Sequence, residues 1–274
     1  MNSEQYFIHA MRSVHSKIGD DGAVLGRAVY SKDVFFENVH FKRTWLTPYQ
    51  IGAKAMIINV SDAIAMNATP RYALLGIAMP STINRHAMDE LARGLKESAD
   101  AYGIEIIGGD TIANVKLDIS ITIISDSAKP LMRHGLKIGD KIAYTGVIGQ
   151  SVKQLRYLLA RGKVHTQSRF VKPILRQKFI QESRPYLRCG MDISDGLFSD
   201  MSKLCSLNRL GIRWEKHISK SIGCSGEEYE MLIAFSPRNE KTVRRIALHT
   251  RTPIRIVATA RRGKFINRCK AHHF

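Results

Sequence analysis

The chain has 274 residues, of which 44% are hydrophobic, so it can bury more than one core and we expect two domains. Its 42 lysines and arginines exceed 24 aspartates and glutamates, which gives a formal net charge of +18. No apolar stretch approaches the roughly 20 residues of a membrane-spanning helix, and the amino terminus lacks the apolar core of a secretory signal; this favours a cytoplasmic protein without a membrane anchor.

The first quarter of the chain predicts two strands and a helix. Residues 23–30 and 33–41 are rich in valine and phenylalanine, which is typical of strands. A helix is expected to begin after Thr47, a capping residue followed by Pro48 at the first helical position, and to end before Pro70.

The next segments continue the alternation up to a domain boundary. Apolar residues recur at helical spacing over 86–102, "IEII" then predicts a strand leading into "GGDT", and alternate residues are apolar over 117–125. The pattern becomes turn-rich over 128–140. We therefore expect an amino-terminal domain over 1–126 and a carboxyl-terminal domain over 127–274.

The carboxyl-terminal half predicts a strand at "KIAYTGVIG", a turn at "MDISDGL", a helix over 197–208 and further strands. Strands and helices alternate throughout, so the expected fold class is α/β of the mixed α+β type. The four cysteines are scattered singly, without a Cys-x-x-Cys pair, and are expected to be reduced packing residues: Cys189, Cys205, Cys224 and Cys269.

The basic excess is concentrated at the end of the chain. Residues 240–274 hold ten lysines and arginines and one acid, Glu240. Such a segment is compatible with nucleic-acid binding, with attraction of anionic ligands, or with a solvated basic surface. Aromatic residues are only 8% of the chain and are not interleaved with the basic ones, so no specific nucleic acid is expected as a partner.

Several aspartates lie at predicted strand ends, helix ends or glycine turns, from which loops of an α/β fold can converge on one cleft. They are Asp20, Asp21, Asp33, Asp62, Asp110, Asp192 and Asp195. Each motif alone is also compatible with an ordinary turn. Converging carboxylates repel one another unless they share cations, and Mg²⁺ prefers carboxylate and phosphate oxygens. Together the aspartates favour a magnesium site.

The motifs, taken in order, resemble a known family. "IGDDGAVL", "SKDVFFENVHF", "NVSDAIAMNATP", "IIGGDT", "LMRHGLKIGD", "DISDGL" and "SGEEYEML" are similar to the thiamine-monophosphate kinases, in the superfamily of aminoimidazole ribonucleotide synthetase and selenophosphate synthetase. The resemblance implies two α/β domains, an amino-terminal sheet that pairs across a homodimer, and transfer of the γ-phosphoryl group of ATP to thiamine monophosphate, giving thiamine diphosphate.

The resemblance also implies roles for individual residues. Magnesium would be held by Asp21, Ser31, Asp33, Asp62, Asp110, Asp192 and Asp195, with Asp20 a weaker candidate. The nucleotide would be contacted by Gly109, Asp110, Arg133 and Ser194, and thiamine monophosphate by His40 and Glu227. No side chain is assigned as a catalytic acid, base or nucleophile, because transfer between phosphates with several Mg²⁺ ions needs positioning and charge neutralisation. The Gly-x-x-x-x-Gly-Lys-Ser/Thr loop and protein-kinase motifs are absent from the sequence.

Three positions depart from the family pattern. Lys32 replaces a threonine that binds metal, Glu228 replaces an aspartate, and Ala271 stands where an aromatic ring would stack on the substrate. Two alternatives to the kinase stay open: a sister ATP-dependent enzyme of the superfamily acting on another substrate, and a nucleic-acid-binding protein that uses the basic end of the chain.

Overall fold

The computed structural model describes residues 3–11 and 17–270. The first half contains, in chain order, α1 (Ser3–Met11), β1 (Ala23–Leu25), β2 (Ala28–Phe36), α2 (Pro48–Ala65), β3 (Thr69–Pro80), α3 (Arg85–Ala101), β4 (Glu105–Asn114) and β5 (Asp118–Asp126). The second half contains β6 (Lys141–Thr145), α4 (Gln150–Leu159), α5 (Gln177–Ser183), β7 (Leu187–Asp192), α6 (Leu197–Asn208), β8 (Gly211–Trp214), α7 (Lys220–Gly223), β9 (Met231–Phe235), α8 (Glu240–His249) and β10 (Ile254–Arg261). Short 3₁₀ turns cover Arg184–Tyr186 and Pro237–Asn239.

The amino-terminal sheet has the strand order β1-β2-β5-β3-β4, in which only the β3–β4 pair is parallel. The predicted strand over 23–30 is instead a hairpin, because the chain reverses between Leu25 and Ala28. The second predicted strand begins earlier than expected and ends at Phe36. Alternation along β2 turns Ser31 and Phe35 into the core and leaves Lys32 exposed.

Helix α2 lies at the centre of the molecule and confirms the helix predicted after Thr47. The Thr47 hydroxyl oxygen accepts a hydrogen bond from the backbone amide of Gln50, and the Gln50 side-chain oxygen accepts one from the backbone amide of Thr47, forming a capping box. Helix α3 crosses α2 closely at two glycines. A Cβ atom on Gly52 would lie 2.3 Å from the Leu91 carbonyl oxygen, and one on Gly94 would lie 2.1 Å from the Tyr49 carbonyl oxygen. This contact fixes α2 against the rest of its domain.

The carboxyl-terminal sheet is antiparallel, with the order β7-β9-β6-β10-β8. Strand β9 is buried on both faces. Met231 and Ile233 belong to a core that also contains Ile58 of α2, whereas Leu232 packs in a second core with Met201 of α6. One core therefore joins α2 to both sheets. Among the residues described, no helix is long and apolar enough to cross a membrane.

The prediction of four reduced cysteines is wrong for two of them. Cys224, which follows α7, forms a disulfide with Cys269 near the end of the chain, whereas Cys189 and Cys205 are buried and free. The partners are 45 residues apart in sequence and meet because the segment after β10 returns to α7. Such a pair leaves no local spacing motif that the sequence could have revealed.

Candidate metal and nucleotide site

Three aspartates from three different elements meet between the two sheets. Asp21, Asp62 and Asp192 each bring one carboxylate oxygen to within 4.8 Å of the others. Asp21 precedes β1, Asp62 lies in the last turn of α2, and Asp192 is the last residue of β7. The sequence predicted all three as metal ligands, and the fold brings them together.

The three carboxylates are held in a setting that disfavours their ionisation. Burial raises the pKa of Asp62 and of Asp192 well above the ordinary value, and neighbouring carboxylates raise both further. Burial also raises the pKa of Asp21, although the adjacent Arg133 guanidinium opposes that shift. The Ser61 hydroxyl donates a hydrogen bond of 2.8 Å to Asp192. A cation among these groups would stabilise their charged forms.

Asp33 extends the cluster along β2. Burial first, and then repulsion from Asp195 and Asp21, raises the pKa of Asp33 to about 7. Its backbone amide donates a hydrogen bond of 2.7 Å to the side-chain oxygen of Asn59 on α2, which fixes the strand against the helix. Two buried oxygens near Asp33 lack hydrogen-bond partners among the described residues. They are the hydroxyl oxygen of Ser31, two residues earlier on β2, and one carboxylate oxygen of Asp21.

These donors fit Mg²⁺. The ion prefers oxygen ligands and is typically held by a few carboxylates together with substrate phosphates and water. Buried polar oxygens are normally satisfied, so two that lack partners at one place indicate a ligand outside the chain. Asp21, Asp33, Asp62 and Asp192 are the residues that would hold the metal, with the Ser31 hydroxyl beside them.

Arg133 and Asp20 form the wall of the site next to Asp21. The Arg133 guanidinium binds Asp21 through two nitrogens, Nε at 3.1 Å and Nη2, and its backbone amide donates to Asp20 at 2.6 Å. Asp20 thus fixes the arginine loop in this structure. The guanidinium is positioned between the carboxylates and the loop, where it can meet a phosphate group of a bound nucleotide.

Asp195 lies beside a charged pair that the sequence analysis missed. Lys203 of α6 binds both Asp195 and Asp200, and the Asp195 amide donates to Asp200 at 3.1 Å. Burial raises the pKa of Asp200 to about 6, opposed by Lys203. Asp200 and Lys203 are three residues apart on the helix that follows "DISDGL", and this i,i+3 spacing was the available signal.

Asp110 does not join the cluster within one chain. The strand predicted at "IEII" continues through "GGDT", so Asp110 lies within β4 and not in a turn that follows it. Strand register aligns Asp110 with Gly76, Ser120 and Val34, whereas Asp33 aligns with the buried Ile121. Because Asp110 is on an exposed strand three strand spacings from β2, it lies about 14 Å from that strand across the sheet. Gly109 precedes it on the same edge strand.

The other residues predicted to contact the substrates are Ser194, Glu227 and His40. The Ser194 carbonyl oxygen accepts a hydrogen bond of 2.7 Å from the Glu227 amide, so these two loops are joined. The charge of the Glu227 carboxylate is one of the minor causes of the raised pKa of Asp33, so the two groups lie near each other. His40 follows β2, its Nδ1 accepts from the Phe36 amide at 3.0 Å, and its ring lies 5.7 Å from that of Phe35.

The three departures from the family pattern have different outcomes. Lys32 points away from the site and donates to Ser120, so its side chain takes no part in the cluster. Glu228 is buried and accepts hydrogen bonds from the Gly149 and Ser151 amides at the start of α4. It serves as the cap of that helix. Ala271 lies outside the described residues.

Comparisons with known proteins agree with this fold. Residues 19–125 match the family of the AIR synthase related protein, N-terminal domain. A thiamine-monophosphate kinase from Haemophilus influenzae is 30% identical over 257 residues, covering 82% of this chain and 76% of the relative. A thiamine-monophosphate kinase from Aquifex aeolicus is 29% identical over 215 residues, covering 74% of this chain and 69% of the relative.

Solved structures show the same fold. The thiamine monophosphate kinase structure from Aquifex aeolicus superposes with a TM-score of 0.82 at 22% identity, covering 97% of this chain and 99% of that one. The structure of AaThiL complexed with AMPPCP and TMP superposes with a TM-score of 0.83 at 23% identity, covering 96% of this chain and 90% of that one. The hydrogenase maturation protein HypE of E. coli superposes with a TM-score of 0.71 at 17% identity, covering 96% of this chain and 93% of that one.

The fold and the carboxylate cluster define a two-domain protein of the aminoimidazole ribonucleotide synthetase type. Its similarity to the Haemophilus influenzae kinase extends over most of both chains. The chain belongs to the thiamine-monophosphate kinase family.

Proposed function

We propose that the protein phosphorylates thiamine monophosphate with ATP, giving thiamine diphosphate and ADP in thiamine diphosphate biosynthesis. The observation that carries this is the group of three aspartates within 4.8 Å of one another, in a chain of the thiamine-monophosphate kinase family. Bound magnesium would supply charge neutralisation between the two anionic phosphates. The raised pKa values of Asp62 and Asp192 support a site built for cations.

The chain's own residues divide the remaining work. Asp21, Asp33, Asp62 and Asp192 would hold the metal, Asp195 beside Lys203 would border it, and Arg133 would meet the nucleotide phosphates. Glu227 and His40 would contact thiamine monophosphate. We propose direct transfer without a phosphorylated enzyme, because an ionised phosphate acceptor needs alignment rather than a general base.

The test is a product assay with γ-labelled ATP and Mg²⁺. With thiamine monophosphate present, label is expected in thiamine diphosphate, and with ATP alone the protein is expected to stay unlabelled. A phosphoenzyme formed and consumed as fast as turnover would contradict direct transfer. Hydrolysis or transfer only with another phosphate acceptor would favour a sister enzyme of the superfamily. Tight, specific nucleic-acid binding with a steep salt dependence and no kinase activity would favour the third function.

We further propose that the protein is a cytoplasmic homodimer in which Asp110 acts across the subunit interface. The outer face of the amino-terminal sheet exposes apolar side chains that one chain leaves uncovered, namely Val34, Tyr72, Leu74, Ile107 and Ile112. Asp110 lies on the strand that carries two of these residues, far from the cluster of its own chain. If the family role of Asp110 in metal and nucleotide binding holds here, a second copy has to bring it to the site.

A further inference from the structure

Lys54 is a fully buried lysine in the middle of α2. Its ammonium group binds the Glu227 carboxylate at 2.6 Å, lies 4.0 Å from the centre of the Phe170 ring and 5.6 Å from that of Phe35. A buried ammonium is costly unless it is paired, and these contacts meet that requirement. The pair joins the amino-terminal helix to a loop of the other half of the chain.

Stability alone does not account for this charge. Replacing a buried ion pair with well-packed apolar groups is often neutral or stabilising, and a methionine could fill the space between the two phenylalanine rings. The Lys54 side chain is 0% exposed, whereas the Glu227 side chain is 25% exposed and lies near Asp33. The buried lysine is therefore paired with a carboxylate that is accessible to a ligand.

The backbone of Glu227 is fixed as firmly as its side chain. The residue adopts a φ of 55°, a left-handed conformation that side-chain-bearing residues seldom take. Its amide donates to Ser194 at 2.7 Å, and its carbonyl oxygen accepts from the Ser151 hydroxyl at 2.7 Å. With Lys54 holding the carboxylate, the residue is restrained from three directions, as expected of a preorganised binding group.

We propose that Lys54 is a positioning residue, which holds Glu227 in the orientation that recognises the cationic thiamine end of the substrate. The inference rests on the proposed function. Thiamine monophosphate carries a positively charged ring as well as a phosphate, so one fixed carboxylate can distinguish it from a purely anionic phosphate ester. The Phe35 ring lies 5.6 Å from the Lys54 ammonium and 5.7 Å from the His40 ring, so the lysine and the second candidate substrate contact share this neighbour.

The experiment compares K54M, E227Q, the double variant and the wild type. Calorimetry measures the Kd of thiamine monophosphate and of a non-hydrolysable ATP analogue with Mg²⁺, and steady-state assays measure KM and kcat. K54M is expected to raise Kd and KM for thiamine monophosphate roughly tenfold, the size of a lost hydrogen bond to a charged group. Affinity for the ATP analogue should change less than about twofold. The double variant should be no worse than E227Q alone, because both changes remove one contact.

Two further variants keep the test decisive. K141M is the control. It removes a lysine whose ammonium group lies 2.6 Å from the Glu215 carboxylate and does not contact Glu227, so it should leave substrate affinity unchanged. K54Q keeps a hydrogen-bond donor and is expected to be intermediate, and it replaces K54M if that variant does not fold. A folded variant of Lys54 with wild-type affinity for thiamine monophosphate would overturn the proposal, as would an effect that adds fully to that of E227Q. If the wild type itself does not bind thiamine monophosphate, the proposed function fails as well.

Discussion

At the scale of single residues, the aspartates of the candidate metal site oppose one another in the metal-free protein. Burial is the largest cause of the raised pKa of Asp62, followed by repulsion from Asp33 and Asp192. A group that is harder to ionise in the folded chain than in the unfolded chain lowers stability at neutral pH. Binding of a cation would reverse this, so occupancy of the site and stability are coupled.

Replacing Asp62 with asparagine separates these two effects. In EDTA, D62N is expected to melt at a higher temperature than the wild type, because one repulsive carboxylate is gone. Addition of MgCl₂ should raise the melting temperature of the wild type but not that of D62N. Phosphoryl transfer should fall by about 100-fold or more, as for other preorganised charges in active sites.

The matched control is D126N. Asp126 pairs with Arg71 on the surface and is not part of the cluster, so the same chemical change should alter neither the response to Mg²⁺ nor turnover. A D62N variant with wild-type stabilisation by Mg²⁺ and wild-type activity would show that the cluster does not bind metal.

Single residues also mark the limit of what the sequence could predict. Asp62 and Asp192 lie in short motifs, so the sequence could single them out as candidate metal ligands, and the structure brings them together. Lys54 and Glu227 are 173 residues apart, and only the packing of α2 against the other half brings them together. A lysine among the apolar residues of a helix gave no indication of its partner.

At the scale of secondary structure, β4 approaches β3 more closely than a side chain at Gly109 would allow. A Cβ atom there would lie 1.9 Å from the Leu75 carbonyl oxygen. At Gly76 on the neighbouring strand, the closest atom to an added Cβ is 3.6 Å away. There is therefore space for a side chain at Gly76 but not at Gly109, although both glycines lie in one sheet.

The substitution G109A is expected to destabilise the protein by about 1–3 kcal/mol, because an atom forced into a packed site displaces its neighbours. G76A should be close to neutral. Urea unfolding followed by circular dichroism measures both. Equal stability of the two variants would mean that β4 lies farther from β3 than described.

Helix α4 begins at a glycine that has no side chain to cap it, and Glu228 supplies the cap from another loop. Burial raises the pKa of Glu228 above its ordinary value of 4.5, despite the opposing hydrogen bond from Ser225. The folded chain thus keeps this proton to a higher pH than the unfolded chain does. The resulting stability is present below pH 4.5 and is lost as the pH rises through the folded-state pKa.

We therefore expect the melting temperature of E228Q, relative to the wild type, to increase as the pH rises above 4.5. For E215Q the expected trend is reversed. Hydrogen bonds from Lys141 and Thr259 lower the pKa of Glu215, so the melting temperature of the wild type, relative to that of E215Q, should increase as the pH rises. Thermal melts from pH 4 to pH 8 test both. Parallel curves for the two variants would contradict these assignments.

The elements themselves were largely predictable, and their ends were not. Capping and helical spacing located α2, α3 and α6, and alternation located β5. The strand predicted at "IEII" is confirmed as β4, but its extension through "GGDT" was not predicted, because two glycines beside an aspartate are typical of a turn and here lie within an edge strand. Sheet pairing overrode the local preference.

At the scale of the whole molecule, the exposed apolar face of the amino-terminal sheet predicts a second copy. Ile112 is 58% exposed in the single chain, in line with a residue that a partner would cover. The substitution I112E places a charge on this face. It should give a monomer by light scattering at micromolar concentration, and activity should fall if Asp110 acts across the interface.

L248E is the control for this experiment. Leu248 is 82% exposed on α8, in the other half of the chain, so the same type of change there should leave the oligomeric state and the activity unaltered. A wild-type protein that is monomeric and fully active would contradict both the dimer and the role proposed for Asp110 across it.

The disulfide between Cys224 and Cys269 makes the end of the chain part of a covalent ring. The ring encloses β9, α8 and β10, and it closes three residues before Glu227. In the chain-entropy account, a link across 45 residues removes disorder from the unfolded state worth about 4 kcal/mol. Purification with dithiothreitol and purification without it would consequently yield two molecules of different thermal stability, and kinetic constants measured on one would not carry over to the other.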